Sequence, residues 1–82
     1  MQVKLLRNNL EKYLTAHNLV KKFDKQLRLF MNNPKHPSLN TELLEPRSLK
    51  IYSFRIDRKY RAIFILINSD EAEIVDINDH YR

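Results

Sequence analysis

Apolar positions recur at helical spacing in the first part of this chain and at strand spacing in the last. Leu10, Tyr13 and Leu14 make one face of a short helix, and Asn8 with Glu11 three residues on has the form of a capping box at its start. Val20, Phe23, Leu27 and Phe30 follow at spacings of three and four, with Lys21, Lys22, Lys25 and Arg28 between them, which predicts a second, amphipathic helix. That helix should end at Asn32 and Asn33, because asparagine tolerates the left-handed conformation of a helix end and Pro34 disfavours helical backbone just before it. Residues 2–6 suit a short strand. From Ile51 the period falls to two, and residues 51–57, 60–67 and 72–78 read as an antiparallel meander. The expected fold class is α+β: a short N-terminal strand and two helices packed on a largely antiparallel sheet, in a single domain over residues 1–82.

Side-chain parity within the meander carries information about chemistry. Tyr52, Phe54 and Ile56 alternate with Ser53, Arg55 and Asp57, and Tyr60, Ala62 and Phe64 alternate with Arg61, Ile63 and Ile65. Residues opposite each other on paired strands point to the same face. A three-residue loop, Asp57-Arg58-Lys59, sets Ile56 opposite Tyr60 and Arg55 opposite Arg61, so one face is apolar and both arginines lie on the other. A two-residue loop would force an arginine under the helices, and an unpaired buried charge costs far more than a less common turn. In the last strand, Val75 and Ile77 are then expected in the core, with Ile74, Asp76, Asn78 and, if the strand continues, His80 beside the arginines. The chain has no glycine, so Asn and Asp must serve wherever a turn needs positive φ.

Composition narrows the function. Without cysteine there is neither a disulfide framework nor a thiolate metal site. The apolar run from Ala62 to Ile67 is far short of a membrane span, and the N-terminus lacks the order of a signal peptide, so a cytoplasmic protein with no membrane partner is expected. The net charge is +5, and fourteen of the fifteen Lys and Arg lie at or before Arg61, while five of the ten acids lie between Asp70 and Asp79. One strongly basic surface results, suited to nucleic acid, to an acidic protein, or simply to water. A Gly-rich phosphate loop, a Cys or Ser nucleophile constellation and a pair of histidines at metal-ligand spacing are all absent, which disfavours most enzyme classes and any metal or cofactor.

Two arginines facing each other across a hairpin repel and need an anion. A surface cluster with Glu42, Glu45 or Asp76 would supply one. So would a phosphate, whose oxygens the planar guanidinium can hold in pairs as charge grows during phosphoryl transfer. His80 is the natural proton carrier near neutral pH, whereas His17 at a helix end and His36 between prolines have no such setting.

The stretch Ile51-Tyr-Ser-Phe-Arg-Ile-Asp-Arg-Lys-Tyr-Arg-Ala-Ile-Phe64, with the tail Asp79-His-Tyr-Arg82, resembles the RelE/ParE toxin superfamily and, within it, the YoeB and Txe toxins. The order of elements agrees, β-α-α-β-β-β. The resemblance implies a metal-independent endoribonuclease of a toxin-antitoxin system. It places catalytic arginines at Arg55 and Arg61, the C-terminal pair at His80 and Tyr81, and the catalytic glutamate at Glu42, with Glu45 as the rival register. The reaction it implies is attack of an RNA 2′-hydroxyl on the adjacent phosphate, giving a 2′,3′-cyclic phosphate and a 5′-hydroxyl. Glu42 would take the proton, the arginines would hold the phosphate, His80 would protonate the leaving oxygen and Tyr81 would stack on a base. Implied partners are a cognate antitoxin protein, messenger RNA in the ribosomal A site and ribosomal RNA gripped by the basic helices, with Lys21, Lys22, Lys25, Lys50, Arg58 and Lys59 as RNA-binding residues and room for a homodimer. The same fold also serves ParE-type inhibitors of DNA gyrase, and an inactive relative that only binds an antitoxin is a further alternative.

Overall fold

A computed structural model describes residues 1–79. Its elements run β1 (Gln2–Val3), α1 (Asn8–Ala16), α2 (Val20–Asn32), a 3-10 turn at Pro37–Leu39, β2 (Glu42–Leu43), a second at Arg47–Leu49, then β3 (Ile51–Arg55), β4 (Arg61–Asn68) and β5 (Glu71–Asn78). The five strands form one sheet in the order β1-β5-β4-β3-β2. Among the described residues the β1–β5 pairing is parallel and the other three are antiparallel. The α+β architecture is the expected one, with β2 as a strand that the apolar pattern does not announce because it is two residues long.

Both helices cover one face of the sheet. Leu10 and Leu14 of α1 and Phe23 and Phe30 of α2 pack with Phe54, Ile56, Ala62, Phe64, Ala72, Ile74 and Ile77 in a single core, to which Leu27 and Tyr52 add partly buried surface. The ring of Phe30 lies 5.0 Å from that of Phe54 and 4.8 Å from that of Phe64, distances at which aromatic pairs add to simple burial. Leu19 and Leu39, from the connections flanking α2, complete the core.

The helix ends depart from expectation in two places. Asn8 is already inside α1, whose cap is Arg7 with no side-chain hydrogen bond, so the Asn8–Glu11 capping box does not form. At the far end of α2, Asn33 is extended (φ −154°, ψ 96°) rather than left-handed, as expected of a residue whose successor is proline. Positive φ is instead taken by Asn18, Asn40 and Lys50. Asparagine carries two of these three, and a lysine carries the third.

The hairpin between β3 and β4 has the expected loop. Arg55 pairs with Arg61, and Ile56 donates its amide to the Tyr60 carbonyl at 2.9 Å. The β4–β5 pairing contains a bulge: Ile63 pairs with Asp76, yet Phe64 pairs with Ile74, leaving Val75 as an extra residue. The bulge reverses the parity of β5. Ile74, expected beside the arginines, is a core residue with 2% of its surface exposed, and Val75, expected in the core, is only half-buried. Ile74→Ala should therefore cost roughly 2–5 kcal/mol of stability, and Val75→Ala should cost less than about 1 kcal/mol; thermal or denaturant unfolding of the two variants checks the assignment.

Candidate functional site

The face of the sheet opposite the helices gathers the polar residues. Pairing places Glu42 beside Ser53, Ser53 beside Ile63, Arg55 beside Arg61, and Arg61 beside Asn78. All of these share one face.

Asp57 shapes the end of this face. One carboxylate oxygen accepts from the Lys59 amide at 2.9 Å and the Tyr60 amide at 2.8 Å, and the other receives Lys22 Nζ from α2 at 3.0 Å. The loop therefore needs neither glycine nor positive φ. Burial works to raise the Asp57 pKa, but the two backbone amides and Lys22 outweigh it and hold the carboxyl below its ordinary value. A depressed folded pKa stabilises the fold above the ordinary carboxylate range, and that stabilisation is lost as pH falls through the lowered value, below 3.8. Asp57→Ala should cost about 1–2 kcal/mol near neutral pH and make unfolding less sensitive to acid as pH falls from 3.8 toward the lowered value, read by denaturant titrations across the acid range.

Arg61 is the best-anchored cation of the site. Only 6% of the residue is exposed. Its Nε donates to Ser53 Oγ at 2.9 Å, and Nη2 donates to the Ser53 carbonyl at 3.3 Å and to the Asn40 carbonyl. Nη2 also lies 3.7 Å from Glu42 Oε2. Burial lowers the Arg61 pKa, Glu42 pushes it back up and Arg55 lowers it again; a guanidinium nonetheless stays charged in a protein. The sequence places Arg61 on the open face but not under cover. The cover comes from the segment carrying Asn40 and Glu42, which packs there through contacts distant in sequence. Ser53, entirely buried inside a strand run of apolar residues, and Asn40, in the left-handed region, were not foreseen as site residues.

The Arg55 side chain is exposed and makes no hydrogen bond or ion pair among the described residues. Asn40, Glu42, Arg55, Asp57, Arg58, Lys59 and Arg61 together line one depression of about 230 Å³. That is below the usual range for drug-sized ligands, roughly 300–1,000 Å³, and suits a phosphate with an adjoining sugar. Four cations and two carboxylates surround it. Of the two glutamates considered from sequence, Glu42 lies there with the arginines; Glu45 is exposed, 3.8 Å from Arg47, and does not line the depression.

The remaining expected cations divide. Arg58 and Lys59 are in the depression, and Lys22 adjoins it through Asp57. Lys21 and Lys25 instead share a separate shallow patch with Asp24 and Arg28, and Lys50 follows the Arg47–Leu49 turn without lining either. His80 and Tyr81 lie outside the described residues. Among the described residues no cluster of His, Cys, Asp and Glu could hold a metal ion, and no helix is long and apolar enough to cross a membrane.

No protein-family model matches this sequence, and no curated protein matches it. Solved structures do match. A YoeB/ParE toxin from Agrobacterium tumefaciens superimposes with a TM-score of 0.73 at 19% identity, over 99% of this chain and 100% of that one. YafQ from E. coli strain BL21(DE3) gives 0.73 at 11% identity, over 96% and 90% of the two chains. The heterotetrameric YoeB-YefM toxin-antitoxin complex from Staphylococcus aureus gives 0.69 at 20% identity, over 98% and 94%. At these identities the likeness is one of fold: two helices on a five-stranded mixed sheet, as in these toxins.

Proposed function

We propose that this chain, with the fold of the YoeB/ParE and YafQ toxins, is the toxin of a type II toxin-antitoxin system and acts as a ribosome-dependent, metal-independent mRNA endoribonuclease. The observation that carries the reading is the depression in which a carboxylate, Glu42, sits 3.7 Å from a buried guanidinium, Arg61, beside the exposed cations Arg55, Arg58 and Lys59. Transesterification by a 2′-hydroxyl needs a proton acceptor next to positive charge that is already oriented before the phosphate gains charge. DNA lacks that nucleophile.

In this mechanism Glu42 takes the 2′ proton and the two arginines divide the electrostatic work. Arg61, held by Ser53 and Asn40, fixes Glu42 and supplies an immobile charge, while exposed Arg55 closes on the phosphate. His80 protonates the leaving 5′ oxygen, and Tyr81 stacks on or orients the flanking base. Arg58, Lys59 and Lys22 extend the grip along the RNA backbone, with Lys21, Lys25 and Lys50 on ribosomal RNA; such phosphate contacts weaken with salt. A protein antitoxin with an acidic or amphipathic segment keeps the basic surface covered, as a partner is bound in the YoeB-YefM complex.

Expression without a partner should arrest growth in the cytoplasm, with shortened messages, and co-expression of the cognate antitoxin should restore it. Normal growth with soluble, folded protein contradicts the proposal. A ParE-type gyrase inhibitor or an inactive antitoxin-binding relative has one observation in its favour, the many bonds Arg61 makes to its own protein; arrest with intact messages favours these readings.

A further inference from the structure

Three polar residues are buried among the described residues: Ser53, Arg61 and Gln26. The first two belong to the site, but Gln26 does not. It occupies the core-facing side of α2 between Phe23 and Phe30, where the helical pattern calls for an apolar side chain, and is 7% exposed. Its Nε2 donates to the Ser38 carbonyl at 3.1 Å and to the Arg55 carbonyl at 2.8 Å. Both acceptors are carbonyls, which can only accept, so the orientation of the amide is determined by chemistry.

These two carbonyls belong to the two chain segments that build the depression. Ser38 lies two residues before Asn40, whose carbonyl accepts from Arg61, and four before Glu42. Arg55 is the last residue of β3, where the sheet ends and the loop begins. No regular strand pairing joins the Pro37–Leu39 turn to the end of β3, so Gln26 is a direct tie between them. We propose that Gln26 is a positioning residue of the site, whose two amide protons clamp the segment leading to Asn40 and Glu42 against the end of β3 and so set Glu42 and Arg55 relative to Arg61. A methionine would fill the same space without either bond, so the amide itself is what the site uses.

This inference rests on the proposed nuclease reading only for its kinetic arm. Gln26→Met removes both donors at nearly constant volume. It should leave the protein folded, speed hydrogen exchange at the Asn40 and Ile56 amides by roughly tenfold or more while sparing those of β4 and β5, and lower kcat on ribosome-bound message by up to about 10²-fold, with KM within about threefold. Should Gln26→Met fail to fold, Gln26→Asn, which shortens the reach of the donors by one methylene, is read in the same way. Unchanged exchange at both amides, kcat within about twofold of the parent, or a loss that only follows the folded fraction overturns the proposal. If the parent protein cuts no message, the nuclease reading fails, and the exchange measurement alone decides whether the clamp exists.

Discussion

Glu42→Gln should lower cleavage of ribosome-bound message by about 10²–10⁴-fold, the range for loss of a general base, while leaving the fold and ribosome binding intact. The glutamine keeps the length and shape of the side chain but cannot take the 2′ proton. Because Glu42 is partly exposed and its contact with Arg61 is long, 3.7 Å, little stability is at stake in its charge. Glu45→Gln is the matched control: it lies outside the depression beside Arg47, and its cleavage rate should equal that of the parent. Parent-like cleavage by Glu42→Gln, or a large loss in Glu45→Gln, would reassign the base.

The other large effect belongs to Arg61, and it has two parts. Arg61→Ala strips hydrogen bonds from the wholly buried Ser53 and from the Asn40 carbonyl, and each buried polar group left unsatisfied costs about 1–3 kcal/mol. Together these should destabilise the domain by roughly 2–4 kcal/mol, visible as a drop of about 8 °C or more in Tm, at ~4–8 °C per kcal/mol for a domain of this size. A position on the open face of the sheet would make replacement cheap for folding only if the side chain were exposed, and Arg61 is buried. Cleavage should fall by a further 10²–10³-fold on the order of losing one transition-state donor. Arg55→Ala separates the two parts, because its exposed side chain makes no such bonds: stability should change by less than about 0.5 kcal/mol while cleavage still drops.

The two arginines also mark where the sequence was readable and where it was not. Their shared face followed from a single energetic argument, that a register burying an unpaired charge loses to an unusual turn. The apolar spacing of Phe23, Leu27 and Phe30 likewise placed α2, and Pro34 marked its end at Asn32 and Asn33. Strict alternation failed in β5, because Ile74, Val75 and Ile77 are all apolar and nothing in an alternating pattern reveals one extra residue. Burial of Arg61 was invisible for a different reason. Parity gives the face a side chain points to, whereas its cover comes from Asn40 and Glu42, brought over by a tie from Gln26 on α2. Gln26 stands three residues after Phe23 and four before Phe30, so spacing puts it on the core face of α2, but its two carbonyl partners lie 12 and 29 residues away and leave no mark in a local pattern.

Cutting RNA with the RNA's own 2′-hydroxyl is the activity proposed for this protein. The direct test is to incubate the purified protein with translating ribosomes and examine the ends of any new fragments. The expected result is cuts within the message at the ribosomal A site, each leaving a 2′,3′-cyclic phosphate upstream and a 5′-hydroxyl downstream, and none when a 2′-deoxy nucleotide occupies the cleaved position. Intact message in the presence of folded protein, or fragments ending in a 5′-phosphate, would contradict it.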